Sequence, residues 1–239
     1  MNNAARIGAF ALAAAALTGC ATTNNNPNDP LEGFNRAMFS FNDTVDTYAL
    51  KPVAQAYDAV VPNPVQAGVG NFFGNINDLW SSINQLLQGR VEQGVSTFMR
   101  VAINTTFGLV GVLDVATEAR LPREKSDFGQ TLGKWGMGSG PYVVLPFFGP
   151  STLRDTAGLP VDVYGDLWTY KRPARWRNVG SVIRVVDRRA QLLDASSLLE
   201  DAALDKYDFV RDTYLQRRQG QIDGASGSDK EQKEEAIKP

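Results

Sequence analysis

The chain has 239 residues, with 24 lysines and arginines against 26 acidic residues, so its formal net charge is -2 at pH 7. This near balance excludes the basic excess typical of nucleic-acid-binding proteins. The chain has no histidine, and Cys20 is its one cysteine. Because the commonest general base and metal ligand are missing, the composition argues against an enzyme, a metal site or a bound cofactor.

The N-terminus predicts a lipoprotein signal peptide that ends before Cys20. Arg6 precedes an alanine- and leucine-rich run, Ile7 to Leu17, that is too short to span a bilayer. The string Leu17-Thr18-Gly19-Cys20 then resembles a bacterial lipobox, the signal at which lipoproteins are acylated and cut. The alternative is an ordinary secretory signal with a chance cysteine, which the lack of a second cysteine for a disulfide disfavours. We therefore expect residues 1–19 to be removed.

The mature chain is expected to be anchored by lipid on Cys20, as covalent diacylglycerol and an N-acyl chain such as palmitate. Three acyl chains predict stable anchoring, since one chain alone gives only marginal membrane binding. The next residue is Ala21 rather than the aspartate that favours inner-membrane retention in enteric bacteria. By resemblance to that sorting pattern, the expected location is the periplasmic leaflet of the outer membrane. Residues 20–30 are expected to be a flexible lipidated tether.

Helical periodicity dominates the next part of the chain and predicts two amphipathic helices. The first has a stripe of Phe34, Met38, Phe41, Val45 and Tyr48, and Lys51-Pro52 is expected to stop or kink it. The second is expected to have Asn63 as its N-cap and to end near Gly89. Its wide apolar stripe consists of Val65, Val69, Phe73, Ile76, Trp80, Ile83 and Leu87.

Further helices are expected on the same grounds, so the fold class is mostly α. A third helix carries Val91, Val95, Phe98 and Ala102, and a further helix is expected to begin between Ser151 and Asp155. One long late helix is predicted by Val182, Val186, Leu193 and Leu199, with arginines 184, 188 and 189 on one face, and Tyr207, Val210 and Tyr214 predict a last segment. The helical domain is assigned to residues 31–218, and residues 219–239 to a disordered charged tail.

The apolar stripes leave the environment of the helices open. No mature segment has the roughly 18 uninterrupted apolar residues of a transmembrane helix. Wide stripes fit the core of an ordinary soluble bundle, and they also fit helices lying in a membrane interface. Periodicity does not choose between these two interpretations.

Residues 133–150 are the least helical stretch and predict an extended loop or hairpin. Its helix-breaking residues include Gly136, Gly138, Gly140, Pro141 and Pro146, and its aromatic residues Tyr142, Phe147 and Phe148 are expected to line it or form its tip. One interpretation is a rigid connector packed on the core. The other is an exposed hairpin in contact with lipid, because aromatic side chains favour the bilayer interface. The glycine spacing fits no dinucleotide-binding motif, and Ser139 lacks the flanking glycines of a nucleophile elbow.

A basic run, Lys171 to Arg177, interleaves cations with Trp176. It is interpreted either as a solvated surface or as a contact for anionic lipid headgroups or an acidic partner.

Several strings in the chain together resemble the MlaA (VacJ) family of Gram-negative outer-membrane lipoproteins, in both order and spacing. They are Asp29 to Arg36, Asn71 to Asn75, Phe128 to Gly133, Gly138 to Tyr142, Leu145 to Phe147, Leu153 to Asp155 and Ala190 to Asp194. The resemblance covers residues 29 to 218 and leaves the tail outside it.

The resemblance implies a ring-like arrangement of amphipathic helices in the inner leaflet of the outer membrane, associated with trimeric porins. Members of the family remove phospholipids misplaced in the outer leaflet through an amphipathic channel. They pass them to a periplasmic lipid-binding protein of an ABC transporter pathway. The segment from Gly136 to Phe148 matches the family's hairpin loop, which influences the channel. Phe41 and Asn42 lie in the region associated with channel control, and here Asp43 adds a charge.

The leading hypothesis from the sequence is therefore a non-enzymatic lipoprotein that transports phospholipid. Exposing two sixteen-carbon tails to water would cost roughly 25 kcal/mol, at about 0.8 kcal/mol per methylene, so lipid does not leave a bilayer unaided. Two alternatives remain open. One is a structural lipoprotein that stabilises a porin or envelope complex without moving lipid, and the other is a periplasmic phospholipase that uses a Ser or an Asp.

Overall fold

A computed structural model describes residues 29–202 and 204–224 of the chain. The predicted signal peptide, Cys20 and most of the predicted tether therefore lie outside the described residues. The same holds for residues 225–239 of the predicted tail.

The described chain is mostly helical, as the sequence predicted. In chain order its helices are α1 (Glu32–Val45), α2 (Lys51–Val60), α3 (Asn63–Leu87), α4 (Val91–Thr106), α5 (Val115–Glu118), α6 (Phe128–Lys134), α7 (Leu153–Gly165), α8 (Ala174–Ala190), α9 (Leu193–Ala202) and α10 (Lys206–Asp223). A π-helical turn, Asp46–Leu50, joins α1 to α2, and a 3-10 turn, Leu167–Tyr170, precedes α8. Among the helices of the described ranges, none combines the length and the apolar character needed to cross a membrane.

Two short strands, β1 (Tyr142–Leu145) and β2 (Gly149–Thr152), form an antiparallel hairpin between α6 and α7. Tyr142 lies opposite Thr152, and Leu145 lies opposite Gly149. Residues 146–148 therefore form the tip. β1 packs along α1, and α3 packs against α4 over much of their length.

Of the two predicted boundaries near the start of the chain, one is wrong and one holds only in part. The helical backbone does not stop at Lys51-Pro52 but passes through a π turn just before it, and this wider turn relieves the clash that the Pro52 ring would make inside a regular α-helix. Asn63 is not the N-cap of α3. Pro62 takes that position, and Asn63 is the first helical residue. Gly89 adopts a positive φ of 76° just after α3, which confirms it as the stop.

Two predicted boundaries near the end of the chain are also wrong. The late helix is not continuous: it breaks between Ala190 and Leu193, which lets α9 pack against α2. The last helix continues to Asp223, past the predicted start of the tail at residue 219. Tertiary contacts hold this extension, since Arg90 donates a hydrogen bond to the carbonyl oxygen of Gln221 at 2.9 Å. Gly224 then ends the helix in the left-handed conformation, with a φ of 85°.

The distribution of polar and apolar side chains is inverted relative to that of a water-soluble bundle. Among the described residues, buried polar and charged side chains clearly outnumber buried hydrophobic ones. On α3 the buried side chains are mostly polar, namely Gln66, Asn75, Asp78, Ser81, Ser82, Asn84 and Gln85. The exposed ones include Val65, Ile83, Leu86 and Leu87. Of the seven residues of the predicted apolar stripe, Val65, Ile83 and Leu87 are exposed, Val69, Ile76 and Trp80 are half-buried, and Phe73 is buried.

The same inversion holds for α4, whose buried side chains are Thr97, Arg100 and Asn104. Val91, Val95, Phe98 and Met99 on its other face are exposed, as is the loop that carries Phe107, Leu109 and Val110. Monomeric water-soluble proteins rarely expose large apolar patches, and here the exposed apolar side chains are neighbours along α4 and the loop that follows it. Of the two interpretations left open by periodicity, the ordinary soluble bundle does not fit, and helices facing an apolar environment do.

Candidate functional site

The base of the hairpin is fixed to α1 by Asn35, which is fully buried. Its side-chain amide donates to the carbonyl oxygen of Tyr142 at 3.0 Å and accepts from the backbone N–H of Val144 at 2.9 Å. It also donates to the carboxylate of Asp29 at 2.7 Å, and the hydroxyl of Tyr207 donates to that same carboxylate. One side chain thus pairs with the outer edge of β1 as a neighbouring strand would.

The tip of the hairpin is attached to α1 by Asn42 in the same manner. Its amide donates to the carbonyl oxygen of Leu145 at 2.9 Å and accepts from the backbone N–H of Phe147 at 2.8 Å. The rings of Phe41 and Phe147 meet edge to face, with centroids 5.3 Å apart. The residues proposed from the sequence for channel control are therefore brought together with the predicted hairpin tip.

The spacing of the two asparagines explains why both reach β1. Asn35 and Asn42 are seven residues apart, which is about 10.5 Å along a helix. The two carbonyl oxygens that accept from them, those of Tyr142 and Leu145, are three residues apart in β1, which is about 10 Å. The two spacings match, so α1 presents one amide at the base of β1 and one where the chain turns into the tip. Without Asn35, the outer edge of β1 would carry unpaired backbone groups.

The aromatic residues of the predicted hairpin do not all behave alike. Phe147 is 73% exposed and Phe148 is 68% exposed, and they form the tip together with the exposed Pro146. Tyr142 is fully buried in a cluster with Val144 and Tyr207, so its predicted place among the lining or tip residues is wrong. Its position follows from strand alternation: Tyr142 and Val144 face the same side of β1, which packs on α1 and α10.

The segment before β1 has the conformational features that its glycines suggested. Gly136 and Gly140 adopt positive φ angles of 95° and 65°, which L-residues with side chains rarely adopt. Open space surrounds Gly138. Pro141 lies just before β1, where its carbonyl oxygen accepts the backbone N–H of Leu153 at 3.0 Å. The part these residues play in any channel stays a prediction.

A polar cavity of about 500 Å³ lies between α3 and α8. Charged residues in its wall are Arg123, Lys125, Arg184, Asp187 and Arg188. Neutral lining residues include Asn63, Gln66, Asn71, Asn77 and Gln191, together with Gly70 and Gly74 of α3. Its volume lies within the range usual for small-molecule sites, although its lining is far more polar.

The charges of this cavity are only partly paired. Arg123 donates to the carboxylate of Asp78 at 2.9 Å, and Arg184 to that of Asp166 at 2.5 Å. Asp187 accepts hydrogen bonds from Tyr57 and Gln191. Burial raises the pKa of Asp187, and the hydrogen bond from Tyr57 partly offsets this rise.

A buried ionic network supports one wall of the cavity. Arg100, which is fully buried, donates two hydrogen bonds of 2.9 Å to the carboxylate of Asp114. Burial alone would raise the pKa of Asp114. Hydrogen bonds from Thr117 and Asn104 and the charge of Arg100 outweigh this effect and lower the pKa to about 2. Burial raises the pKa of Asp78, although Arg123 and Arg100 oppose this.

Neither this network nor the cavity was predicted from the sequence. A signal for the network was present, because Thr97, Arg100 and Asn104 recur at steps of three and four on one face of α4. The predicted helix was identified by its apolar residues alone, and its polar face carried no prediction. Arg184 and Arg188 were seen as one helix face, but nothing in the sequence placed Arg123 and Lys125 opposite them.

The site contains no arrangement typical of a metal centre: within the described part of the chain, no three histidine, cysteine or acidic side chains are placed to hold a metal ion. Its distinguishing properties are an apolar exterior, a polar cavity and an aromatic hairpin tip. Comparison with known proteins assigns the chain that has these properties to a family. The family model described as "MlaA lipoprotein" matches residues 27–221.

The chain belongs to the MlaA lipoprotein family. The sequence resemblance is thereby confirmed. Among curated MlaA proteins, that of Escherichia coli (strain K12), named "Intermembrane phospholipid transport system lipoprotein MlaA", is 40% identical over 221 residues, covering 89% of this chain and 86% of that protein. A protein of the same name from Haemophilus influenzae is 36% identical over 222 residues, covering 88% of each.

A solved structure shares the fold of this MlaA chain. It is described as "Structural basis for maintenance of bacterial outer membrane lipid asymmetry" and superposes with a TM-score of 0.69 at 42% sequence identity. The match covers 80% of this chain and 96% of the other. The MlaA fold therefore extends over nearly all of the residues that the structure describes.

Proposed function

We propose that this chain transports phospholipids between the membranes of a Gram-negative envelope and so maintains the lipid asymmetry of the outer membrane. In this role it removes misplaced phospholipids from the outer leaflet. The observation that carries the proposal is the inverted burial pattern: apolar helix faces point outward while a polar cavity lies between α3 and α8. The names of its MlaA relatives, which describe an intermembrane phospholipid transport system, support the same role.

The physical basis is the amphipathic nature of the cargo. Moving both acyl chains of a phospholipid through water costs roughly 25 kcal/mol, and the charged headgroup is comparably disfavoured inside hydrocarbon. A protein that lies in one leaflet can give the headgroup a polar path while the acyl chains stay beside its apolar exterior. This process needs binding groups rather than a nucleophile, so we propose a transport protein and not an enzyme.

We further propose that Cys20 carries the acyl chains and holds the protein in the periplasmic leaflet of the outer membrane. The exposed apolar faces of α3 and α4 supply a second attachment to the hydrocarbon region. The proposed partners are a trimeric porin, which would fix the protein at the outer leaflet, and a periplasmic lipid-binding protein of an ABC transporter pathway. That carrier would receive the lipid.

A strain lacking the gene tests the proposal. A membrane-impermeant amine-reactive label modifies phosphatidylethanolamine only in the outer leaflet, and we expect the labelled fraction to rise several-fold in the deletion strain. The wild-type gene should restore it, whereas Cys20→Ala should not. An unchanged labelled fraction contradicts the proposal. A rise that accompanies an equal loss of porin, with no phospholipid in the purified protein, would favour the structural lipoprotein instead.

A further inference from the structure

We infer that the cavity between α3 and α8 is a headgroup site that prefers phospholipids with a net negative headgroup. The preferred ligand is a phosphodiester without an amine, such as phosphatidylglycerol, over zwitterionic phosphatidylethanolamine. The inference deepens the proposed function and rests on it, because it names the class of lipid that the transport site takes.

The cavity wall carries more positive than negative charge. Arg123 is offset by Asp78 and Arg184 by Asp166. Lys125 and Arg188 form no ion pair with any carboxylate within residues 29–202 and 204–224. Even with Asp187 ionised, the wall therefore keeps an excess of positive charge. Such a concave, positively charged surface attracts anions.

Cations crowd around Lys125, which is exposed and lines the cavity. Burial lowers the pKa of Lys125, and the charges of Arg188 and Arg123 lower it further. The positive groups therefore repel one another. An anion among them would offset that repulsion, whereas a ligand with its own ammonium would add to it.

Two glycines shape the α3 wall of the cavity. Gly70 and Gly74 lie one helical turn apart on the side facing the cavity. A Cβ at Gly74 would lie 2.8 Å from a guanidinium nitrogen of Arg123, and a Cβ at Gly70 would lie 2.8 Å from the amide nitrogen of Gln191. The two glycines therefore keep the donor groups of Arg123 and Gln191 close to the wall and leave room for a ligand.

The test measures which lipid the purified full-length protein takes up from vesicles that contain phosphatidylglycerol and phosphatidylethanolamine in equal amounts. Bound lipids are extracted and quantified by mass spectrometry. We expect the wild-type protein to enrich phosphatidylglycerol about tenfold, because one uncompensated charge in a partly enclosed site contributes about that factor. The double variant Lys125→Gln/Arg188→Gln should reduce the enrichment to nearly onefold.

The matched control removes two positive charges outside the cavity, in Arg120→Gln/Lys134→Gln. Both of these side chains are exposed and neither lines the cavity, so the enrichment should remain at the wild-type value. An equal loss in the control would overturn the inference by assigning the effect to general surface charge. Because Lys125 and Arg188 form no ion pair in the described part of the chain, the double variant should fold, and an unchanged unfolding temperature checks this.

The remaining outcomes separate the inference from the proposed function. If the wild-type protein binds both lipids equally, the headgroup preference is overturned while lipid transport stands. If it binds neither lipid, the proposed function fails as well. A further experiment without vesicles uses inorganic phosphate alone as the ligand. Phosphate binding that depends on Lys125 and Arg188, without any difference between the two lipids, would assign the cavity to free phosphate and overturn the lipid assignment.

Discussion

The wall of the cavity and the hairpin are held in place by different kinds of interaction. We refer to α3, α4 and residues 108–123 as the frame, which is joined by the buried ion pairs of Arg100 with Asp114 and Arg123 with Asp78. The hairpin is joined to α1 by neutral hydrogen bonds from Asn35 and Asn42. Breaking a buried ion pair leaves an uncompensated charge, whereas a neutral hydrogen bond contributes only about 1 kcal/mol.

This difference in the type of interaction indicates which region of the molecule is able to move. In the frame network Arg100 and Asp78 are fully buried, and Asp114 and Arg123 are 20% and 23% exposed, so the network opens only with substantial loss of stability. The hairpin is held more firmly at its base than at its tip. Asn35 at the base is fully buried, while the contacts of Asn42 lie near the exposed residues Phe147 and Phe148. Low-stability elements of this kind supply local motion, and the hairpin tip is the best candidate for it.

The largest effect is expected from Arg100→Met, which breaks the frame. The substitution leaves the carboxylate of Asp114 without its buried partner, so the free energy of unfolding in detergent should fall by about 3–5 kcal/mol. Chemical denaturation followed by circular dichroism measures this. Arg120→Met is the control, since it removes an exposed arginine from the same segment and should cost less than about 0.5 kcal/mol. Similar losses for both variants would contradict the distinction between frame and surface.

The next effect is expected from Asn35→Ala, at the base of the hairpin. It removes three buried hydrogen bonds and leaves the backbone groups of Tyr142 and Val144 without partners, so we expect a loss of about 2–3 kcal/mol. Hydrogen exchange should show the change mainly at residues 142–152. If exchange rose equally throughout α3 and α4, the base of the hairpin would belong to the frame.

A pH titration separates the two regions because asparagines do not titrate. The pKa of Asp114 in the folded chain, about 2, lies below its ordinary value of 3.8. Its contribution of about 2 kcal/mol is therefore present above pH 3.8 and is lost as the pH falls towards 2. Asp114→Asn should be less stable than the wild type at pH 7, and the difference should vanish near pH 2. A difference that persists at pH 2 would show that charge is not its cause.

The smallest effect on global stability is expected from Asn42→Ala, at the hairpin tip. Two partly exposed hydrogen bonds are lost, so the unfolding free energy should fall by about 1 kcal/mol. Local opening should nevertheless increase at the amide of Phe147, which loses its acceptor, and hydrogen exchange at that amide should accelerate about fivefold or more. Thr44→Ala, two residues further along α1, is the control and should leave that amide unchanged. No acceleration in Asn42→Ala would mean that the tip is held by its rings alone.

The sequence predicted much of the helical content but not its orientation. Periodicity located α1, α3 and α4 because their apolar residues recur at helical steps. A period identifies a stripe without saying whether water or lipid faces it, so the outward position of Val91 and Val95 could not be derived. The string that resembles a lipobox and the glycine-rich hairpin were the features that pointed towards a membrane.

The candidate site could be predicted only where residue type carried the signal. Phe41, Asn42 and Phe147 were singled out, but their contact joins residues more than 100 positions apart and depends on how β1 lies along α1. The cavity depends on Arg123 and Lys125 facing α8 after a turn in which Leu109 and Val110 adopt positive φ angles. Leucine and valine rarely adopt such angles, so these residue types do not predict that turn.

The inverted helices make the surrounding amphiphile a part of the native state. In plain water, association of the exposed faces of α3 and α4 with each other or with another copy of the chain would lower the free energy. Detergent or lipid that covers those faces binds the folded chain in preference to the unfolded one, and mass action then raises the unfolding temperature with amphiphile concentration. The chain therefore has no single intrinsic stability, and each value describes the protein together with its solvent.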